Sequence, residues 1–449
     1  MFILDRLYGR LIFPPIIRSL LDCPGLLRLR EVGMANVPFF SFPSFTAVTR
    51  YEHSLGVCHL ADIVAINNDL SETNRIELML AALYHDVATP PFAHAMEEVL
   101  NELFGFDHET RLRELFLGRQ SLSAGPKSQM FLGHSLKIHK VCQSKEGRRL
   151  KLDALRIADI ATGKDSDALG DIICSNGIDL DNIDNVVRAA TAMGMKEVDL
   201  SLPEIIANSF VYRNNKFQLD EGSSAYFKNW QEIRSTLYGM IFASQKDFAL
   251  QTMLKEAIKL LPREKLNEND WRLTDNQLIY EKLLLHEPSA EIVRRMRLGK
   301  TFECLLCLII EGDDIIKNKE FIAYRLKEMA EEQYIEYIDR AFVKKENLDT
   351  VRPNISVNYY IDKRKRKINR SLIFLDRITH PEKEDRQSQK LIYGIFTSNN
   401  RGWDRLAIDR LIQKASVIIE NINAYEIKID LSDYPRIRKE LPKKNDIIN

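Results

Sequence analysis

The sequence predicts a mainly α fold, a helical core followed by a smaller α+β portion at its C-terminal end. Three observations carry this expectation. Residues recur at helical spacing, as in His53 with the apolar Val57, Leu60 and Val64, which places them on one side of a helix. After about residue 311 the pattern shifts to β-branched and aromatic runs such as Ser356-Val357-Asn358-Tyr359-Tyr360 and Leu391 to Thr397, which suit strands. A chain of 449 residues, 45% hydrophobic and 29% charged, is too long for one small core and ordinary in composition for a globular protein. The expected division is 1–310 for the helical core and 311–449 for the α+β region.

Each element has a local reason. Pro14-Pro15 can start a helix with Ile16, Ile17, Leu20 and Leu21 on its apolar face, and Asp22-Cys23-Pro24-Gly25 breaks it. Phe39 to Phe45, rich in aromatics, Ser and Pro, reads as a loop. Thr49 to His53 opens a long helix on which Arg50, His53 and Gly56 share one side. Residues 75–86 are expected to form the next helix, capped by Thr73 and ended by Pro90-Pro91. Residues 92–103 form a third, and Asp107-His108-Glu109 opens a fourth. The polar stretch 119–150 reads as a loop region. Helices resume over 151–162 and 166–175. Asp179 or Asp181 can cap the helix that follows, with Asp181, Asp184 and Arg188 on one face. A strand pair is expected around Ser209–Tyr212 and Lys216–Leu219 in an otherwise helical 203–310. In the last third, Ser371–Leu375 is a further strand candidate, Lys363–Lys367 a basic turn and 404–420 a helix.

Composition narrows the function classes. Lys+Arg and Asp+Glu both number 64, so no global basic field marks nucleic acid as a default partner. Six scattered cysteines do not make a disulfide framework and fit a reducing compartment. Cys304-x-x-Cys307 has no second pair to complete a zinc set and is expected on a buried helix. Asp5, Arg6 and Arg10 interrupt the apolar residues of the N-terminus, unlike a signal peptide. No apolar run approaches the ~20 residues of a membrane span. The expectation is a cytoplasmic protein with no membrane partner.

The histidines point to the chemistry. The chain has nine, and His53, His59, His85, His94 and His108 fall within one short region. His53, the adjacent pair His85-Asp86, and Asp181 offer two imidazoles and two carboxylates. Such mixed nitrogen and oxygen donors suit a six-coordinate divalent ion, Mn, Mg, Fe or Ni, with positions left for water and substrate. An ion of this kind polarises a phosphoryl oxygen and lowers the pKa of a bound water. His94 and Glu97, one helical turn apart, can orient that water, take its proton or protonate a leaving oxygen.

Three ordered stretches resemble the HD-domain phosphohydrolase superfamily. They are Arg50-Tyr51-Glu52-His53-Ser54-Leu55-Gly56-Val57, His85-Asp86-x-x-x-Pro90-Pro91-Phe92-x-His94, and Gly177-Ile178-Asp179-Leu180-Asp181. The wording is most similar to the deoxynucleoside triphosphate triphosphohydrolase branch. The likeness runs from about Leu4 to Leu305 and includes Asp22-x-Pro24-x-x-x-Arg28-Leu29-Arg30 and Leu273-Thr274-Asp275-Asn276. It implies a helical HD core with His53, His85, Asp86 and Asp181 on one divalent ion. It implies His94, Glu97 and His108 as catalytic groups that handle water and protons. Arg50 would face a substrate phosphate, and Asp184 and Arg188 are further substrate-binding candidates. The implied reaction splits a dNTP into deoxynucleoside and triphosphate. Members of the branch usually form homo-oligomers, and some act in antiviral defence.

The chain departs from that pattern at several positions. Thr89 stands where a further histidine is common, Met34 where a glutamine lies near the sugar, and Leu27 replaces a polar residue. Asn182 and Asn185 replace a lysine and a tyrosine. The triphosphate-gripping helix reads Leu237 to Gln245 without a cation. These losses keep two alternatives in view. One is an HD phosphodiesterase, nuclease or phosphomonoesterase acting on another nucleotide or on single-stranded nucleic acid, the less favoured partner. The other is a catalytically weak nucleotide-binding scaffold or sensor.

Overall fold

Local chemistry sets where the helices begin. The Arg50–Asn67 helix starts at a capping box, in which Thr49 accepts from the Glu52 amide and the Glu52 carboxylate from the Thr49 amide. This satisfies two of the donors a helix start leaves open. The Glu72–Tyr84 helix starts earlier than its periodicity suggests, because Ser71 accepts from the Asn74 amide. The expected cap, Thr73, instead donates to the Leu150 carbonyl. Asp107 and Asp179 cap the His108–Phe116 and Leu180–Ala192 helices. The coordinates are a computed structural model. They describe residues 2–38, 41–118, 138–164, 169–173, 178–214, 216–312, 318–340, 355–361, 389–397, 403, 405–420 and 426–430.

The helix expected over 92–103 is His94–Phe104. Phe92 and Ala93 both have positive φ, 52° and 47°, which a right-handed helix cannot continue through. Gly105, in the left-handed conformation, closes it. Within the expected loop region 119–150, residues 138–150 hold two short helices, Ile138–Cys142 and Lys145–Arg149. Gly177, Lys363–Lys367 and Ser371–Leu375 lie outside the described residues.

The fold is mainly α. Two compact units are present, one formed mainly by Met1–Ile241 with Ala257–Val293, the other by Phe242–Glu256 with Arg294–Lys363 and Pro381–Asn449. They do not divide at a single point near residue 310. In the first unit, Glu72–Tyr84, Leu180–Ala192 and Leu202–Asn208 pack on the Arg50–Asn67 helix, and Ala154–Ala161 packs on Glu72–Tyr84. Val57, Leu60, Val64, Leu80, Leu83, Ile157, Ile183 and Val187 are fully buried between them. Each such side chain contributes roughly 1.5–3 kcal/mol on burial. Two small antiparallel pairs decorate this unit, Ile3–Asp5 with Gly9–Leu11 and Phe210–Arg213 with Lys216–Leu219.

The second unit carries a four-stranded antiparallel sheet. Its order is Ile355–Ile361, Gln389–Thr397, Glu303–Gly312, Glu426–Asp430. The helices Lys319–Arg340 and Arg405–Glu420 pack on it through Leu326 and Leu411. Cys304 and Cys307, expected on a buried helix, lie instead on the interior strand Glu303–Gly312. Leu305, Leu306, Cys307 and Leu308 are buried in succession, as in a strand covered on both faces. Such a run does not differ in periodicity from a buried helix. Among the described residues no helix is long and apolar enough to cross a membrane.

Candidate active site

Three helices and one loop bring four donors together. His53 comes from the first turn of Arg50–Asn67, His85 from the C-cap of Glu72–Tyr84, and Asp86 follows it. Asp181 lies in the first turn of Leu180–Ala192. His53 Nε2 lies 3.0 Å from Asp181 Oδ1 and 3.9 Å from Asp86 Oδ2. His85 Nε2 lies 3.8 Å from Asp86 Oδ2 and 3.9 Å from Asp181 Oδ1. The two rings meet edge-on with centroids 5.2 Å apart.

The tautomers follow from what stands behind each ring. His85 Nδ1 is 2.8 Å from the Ala82 carbonyl oxygen, which can only accept, so Nδ1 carries the proton and Nε2 the lone pair. That Nε2 is buried with no hydrogen-bond partner. A buried lone pair without a donor is costly unless something else takes it. Here it shares a small space with a second imidazole nitrogen and two carboxylates, a donor set that fits a divalent cation. Burial alone would raise the Asp86 carboxyl, but Arg50, His85 and His53 hold it well below the usual carboxylate range. Asp181 is lowered in the same way by its bond to His53. Arg50 Nη1 lies 2.6 Å from Asp86 Oδ2, and Thr89 Oγ1 donates to Asp86 Oδ1 at 2.9 Å. Both fix the carboxylate's orientation.

Asp184 and Arg188 do not reach this space. Both side chains, expected to contact substrate, are fully buried. Asp184 Oδ1 accepts from His53 Nδ1 at 2.7 Å and from Arg188 Nε at 2.8 Å. They stand behind His53 and set its tautomer. Helical periodicity placed them on the same face as Asp181 but carries no information on depth.

A second cluster is more open. Glu97 accepts from His108 Nδ1 in a short contact and lies 3.2 Å from His94 Nδ1. The side chains of His94 and His108 are 56% and 35% exposed. Burial would raise Glu97, but the two imidazoles hold it well below its ordinary value. His108 is raised in turn by Glu97 against its burial, and the charge of Asp86 adds to that shift. The two clusters therefore feel each other electrostatically. Asp107 joins Glu97 and His108 in a group compact enough to hold a cation, while also capping the His108 helix.

The corner between the clusters is held from behind. Arg28, 2% exposed, donates to the carbonyls of Val87 (3.0 Å), Thr89 (2.6 Å), Trp271 (3.3 Å) and Leu273 (2.8 Å). Asp275 accepts from the amides of Phe92 at 2.8 Å and Gly33 at 2.9 Å. Burial pushes Asp275 up to about 6 even though those two amides pull it down. Both residues fall in stretches that carried the family likeness, yet nothing in the sequence indicated their role. Asn182 donates through Nδ2 to Asp179 Oδ1 at 2.6 Å. Arg234, buried, lies one turn before Leu237.

The HD-domain family model matches residues 50–186, a span that begins at Arg50 and encloses all four donors. The chain carries an HD domain. Around that domain it is similar to the deoxynucleoside triphosphate triphosphohydrolase SAMHD1 homolog of Dictyostelium discoideum, at 31% identity over 115 residues. That match covers 23% of this chain and 22% of the relative. An uncharacterized protein of Methanocaldococcus jannaschii is 23% identical over 276 residues, covering 60% of this chain and 52% of that one. The matched stretches thus span about a fifth and about half of these relatives. A crystal structure of a hypothetical protein from Aquifex aeolicus shares the fold, with a TM-score of 0.61 at 20% identity over 92% of this chain and 99% of the other. The span matched by the HD-domain model and the donor set described above coincide.

Proposed function

We propose that the HD domain hydrolyses deoxynucleoside triphosphates to deoxynucleoside and triphosphate, using one divalent ion held by His53, His85, Asp86 and Asp181. The observation that carries the reading is the buried, partnerless Nε2 of His85 beside His53 and two carboxylates kept ionised. When bound, the ion polarises a phosphoryl oxygen and makes a nearby water more acidic. Arg50 orients Asp86 and offers its charge to a substrate phosphate. Glu97, held as a carboxylate, takes a hydrogen bond from the incoming water. His94, the most exposed of the three, gives a proton to the departing oxygen. Attack by that water on the α-phosphorus breaks its bond to the 5′ oxygen. A homo-oligomer belongs to the same reading, since four negative charges on the substrate exceed what Arg50 and one ion can offset.

The test is turnover of a dNTP panel with added Mn, with products identified by mass. Release of inorganic tripolyphosphate is expected. A specific observation favours a second reading if none appears. Leu237 is buried and Asn182 is turned to Asp179, so the phosphate-gripping positions are apolar or occupied. Release of monophosphate from other nucleotides, or cleavage of single strands, would then name the substrate as a phosphomonoester or phosphodiester. Nucleotide binding without turnover of any of these would make the domain a sensor.

A further inference from the structure

The N-terminal hairpin, almost fifty residues ahead of the first expected metal ligand, is joined to that ligand by an unbroken chain of buried polar contacts. Asp5 ends the strand Ile3–Asp5, and its Oδ1 accepts from the amides of Leu7 (2.8 Å) and Tyr8 (3.2 Å), so the turn is built around this carboxylate. Its Oδ2 lies 3.0 Å from Arg188 Nη1, and the Asp5 side chain is 2% exposed. Arg188 grips both oxygens of Asp184, Nε on Oδ1 at 2.8 Å and Nη2 on Oδ2 at 2.9 Å. Tyr8 donates its hydroxyl to Asp184 Oδ2 at 2.7 Å. Asp184 Oδ1 then accepts from His53 Nδ1 at 2.7 Å. All four lone-pair positions of Asp184 are used. Gly56 makes the approach feasible, because a Cβ there would collide with Asp184 Oδ2, Arg188 Nη2 and the Tyr8 ring.

We propose that Asp5 and Tyr8 are positioning residues that set the metal affinity of the HD centre from behind His53, and that they do so in opposite directions. The inference rests on the divalent-metal reading of His53, His85, Asp86 and Asp181. Two anions and one cation lie in the network, so the group behind His53 carries a net negative charge that favours a cation in front of it. Asp5 keeps Arg188 from neutralising Asp184. Without Asp5 the network has no net charge, and the guanidinium draws Asp184 away from His53. Tyr8 acts the other way. Its hydroxyl competes with His53 for the electron density of Asp184, so removing it leaves a more basic carboxylate on Nδ1 and a better donor at Nε2.

The experiment is titration of Mn into the full metal-stripped chain, read by calorimetry, with the metal-free melting temperature of each variant measured alongside. Asp5→Asn is expected to bind Mn about 10-fold more weakly, the size of effect such supporting groups have elsewhere. Tyr8→Phe is expected to bind as tightly as the wild type or more tightly, despite losing a hydrogen bond. The double variant Asp5→Asn with Arg188→Met restores the net charge and is expected to recover the affinity lost by Asp5→Asn. Leu4→Ala, on the exposed face of the same hairpin, should change nothing. If Tyr8→Phe and the double variant lose affinity along with Asp5→Asn, in step with their melting temperatures, the network is only scaffolding and the inference is overturned. Should Asp5→Asn fail to fold, the direction of the Tyr8→Phe change still decides. A wild type that binds no Mn would sink the metal reading itself, and this inference with it.

Discussion

Two histidine–carboxylate groups stand within electrostatic reach of each other and are built on opposite plans. In the cradle, His53 is fully buried and Asp86 is largely enclosed, while Asp181 at its rim is 34% exposed. Each imidazole there is locked from behind by a group that accepts a hydrogen bond from its Nδ1, Asp184 for His53 and the Ala82 carbonyl for His85. In the outer group, His94 and His108 are partly open to solvent, and both turn their Nδ1 toward the same carboxylate, Glu97. The cradle therefore turns both of its Nε2 atoms inward, and the outer group shares protons among its members. Burial with support suits holding an ion, and exposure with a shared proton suits passing one.

The sharpest way to break this contrast is His85→Ala. It removes the partnerless Nε2 without touching the outer group. Loss of the ion removes several kcal/mol of charge stabilisation, so turnover should fall by about 10³-fold or more, with bound metal lost and helical content kept. Metal retained at wild-type stoichiometry would show that the donors lie elsewhere. Glu97→Gln tests the other side. It keeps the shape but not the charge, and turnover should fall by about 10²-fold while Mn affinity stays unchanged. If Mn affinity falls instead, the Glu97–Asp107–His108 group is itself an ion site and the two plans are one.

The smallest effect is one of pH. Burial pulls His53 down, but hydrogen bonds to Asp181 and Asp184 push it up to about 9, above its ordinary 6.5. A proton held more tightly in the folded state adds stability that is complete below about pH 6.5 and is lost as pH rises through about 9. The melting temperature of chelator-treated protein should therefore fall across that window, and excess Mn should flatten the slope. A flat profile without metal would mean that His53 is not the proton's holder.

Much of the cradle was legible because its parts sit at signalled places. His85 and Asp86 lie where a helix meets a proline pair, and Asp181 follows a capping Asp179. His53 falls on a helical face shared with Arg50 and Gly56. What stayed hidden was depth. Asp184 and Arg188 share the face of Asp181 but lie beneath it, and periodicity reports direction around a helix rather than distance from solvent. Arg28 and Asp275 stayed hidden because they act on backbone carbonyls and amides, which leave no trace in side-chain patterning. The strand at Cys304 and Cys307 was missed because a buried strand interior and a buried helix read alike.

The corner at Phe92 and Ala93 has one more consequence. Ala93 holds φ 47° and ψ −120°, angles that glycine reaches freely and alanine does only at a penalty of order 1–3 kcal/mol. An alanine kept in such a pose has few other shapes available, so the bend behaves as a stiff bracket rather than a hinge. The spacing between the His85–Asp86 step and the His94–Glu97 turn is thus gauged by the main chain itself.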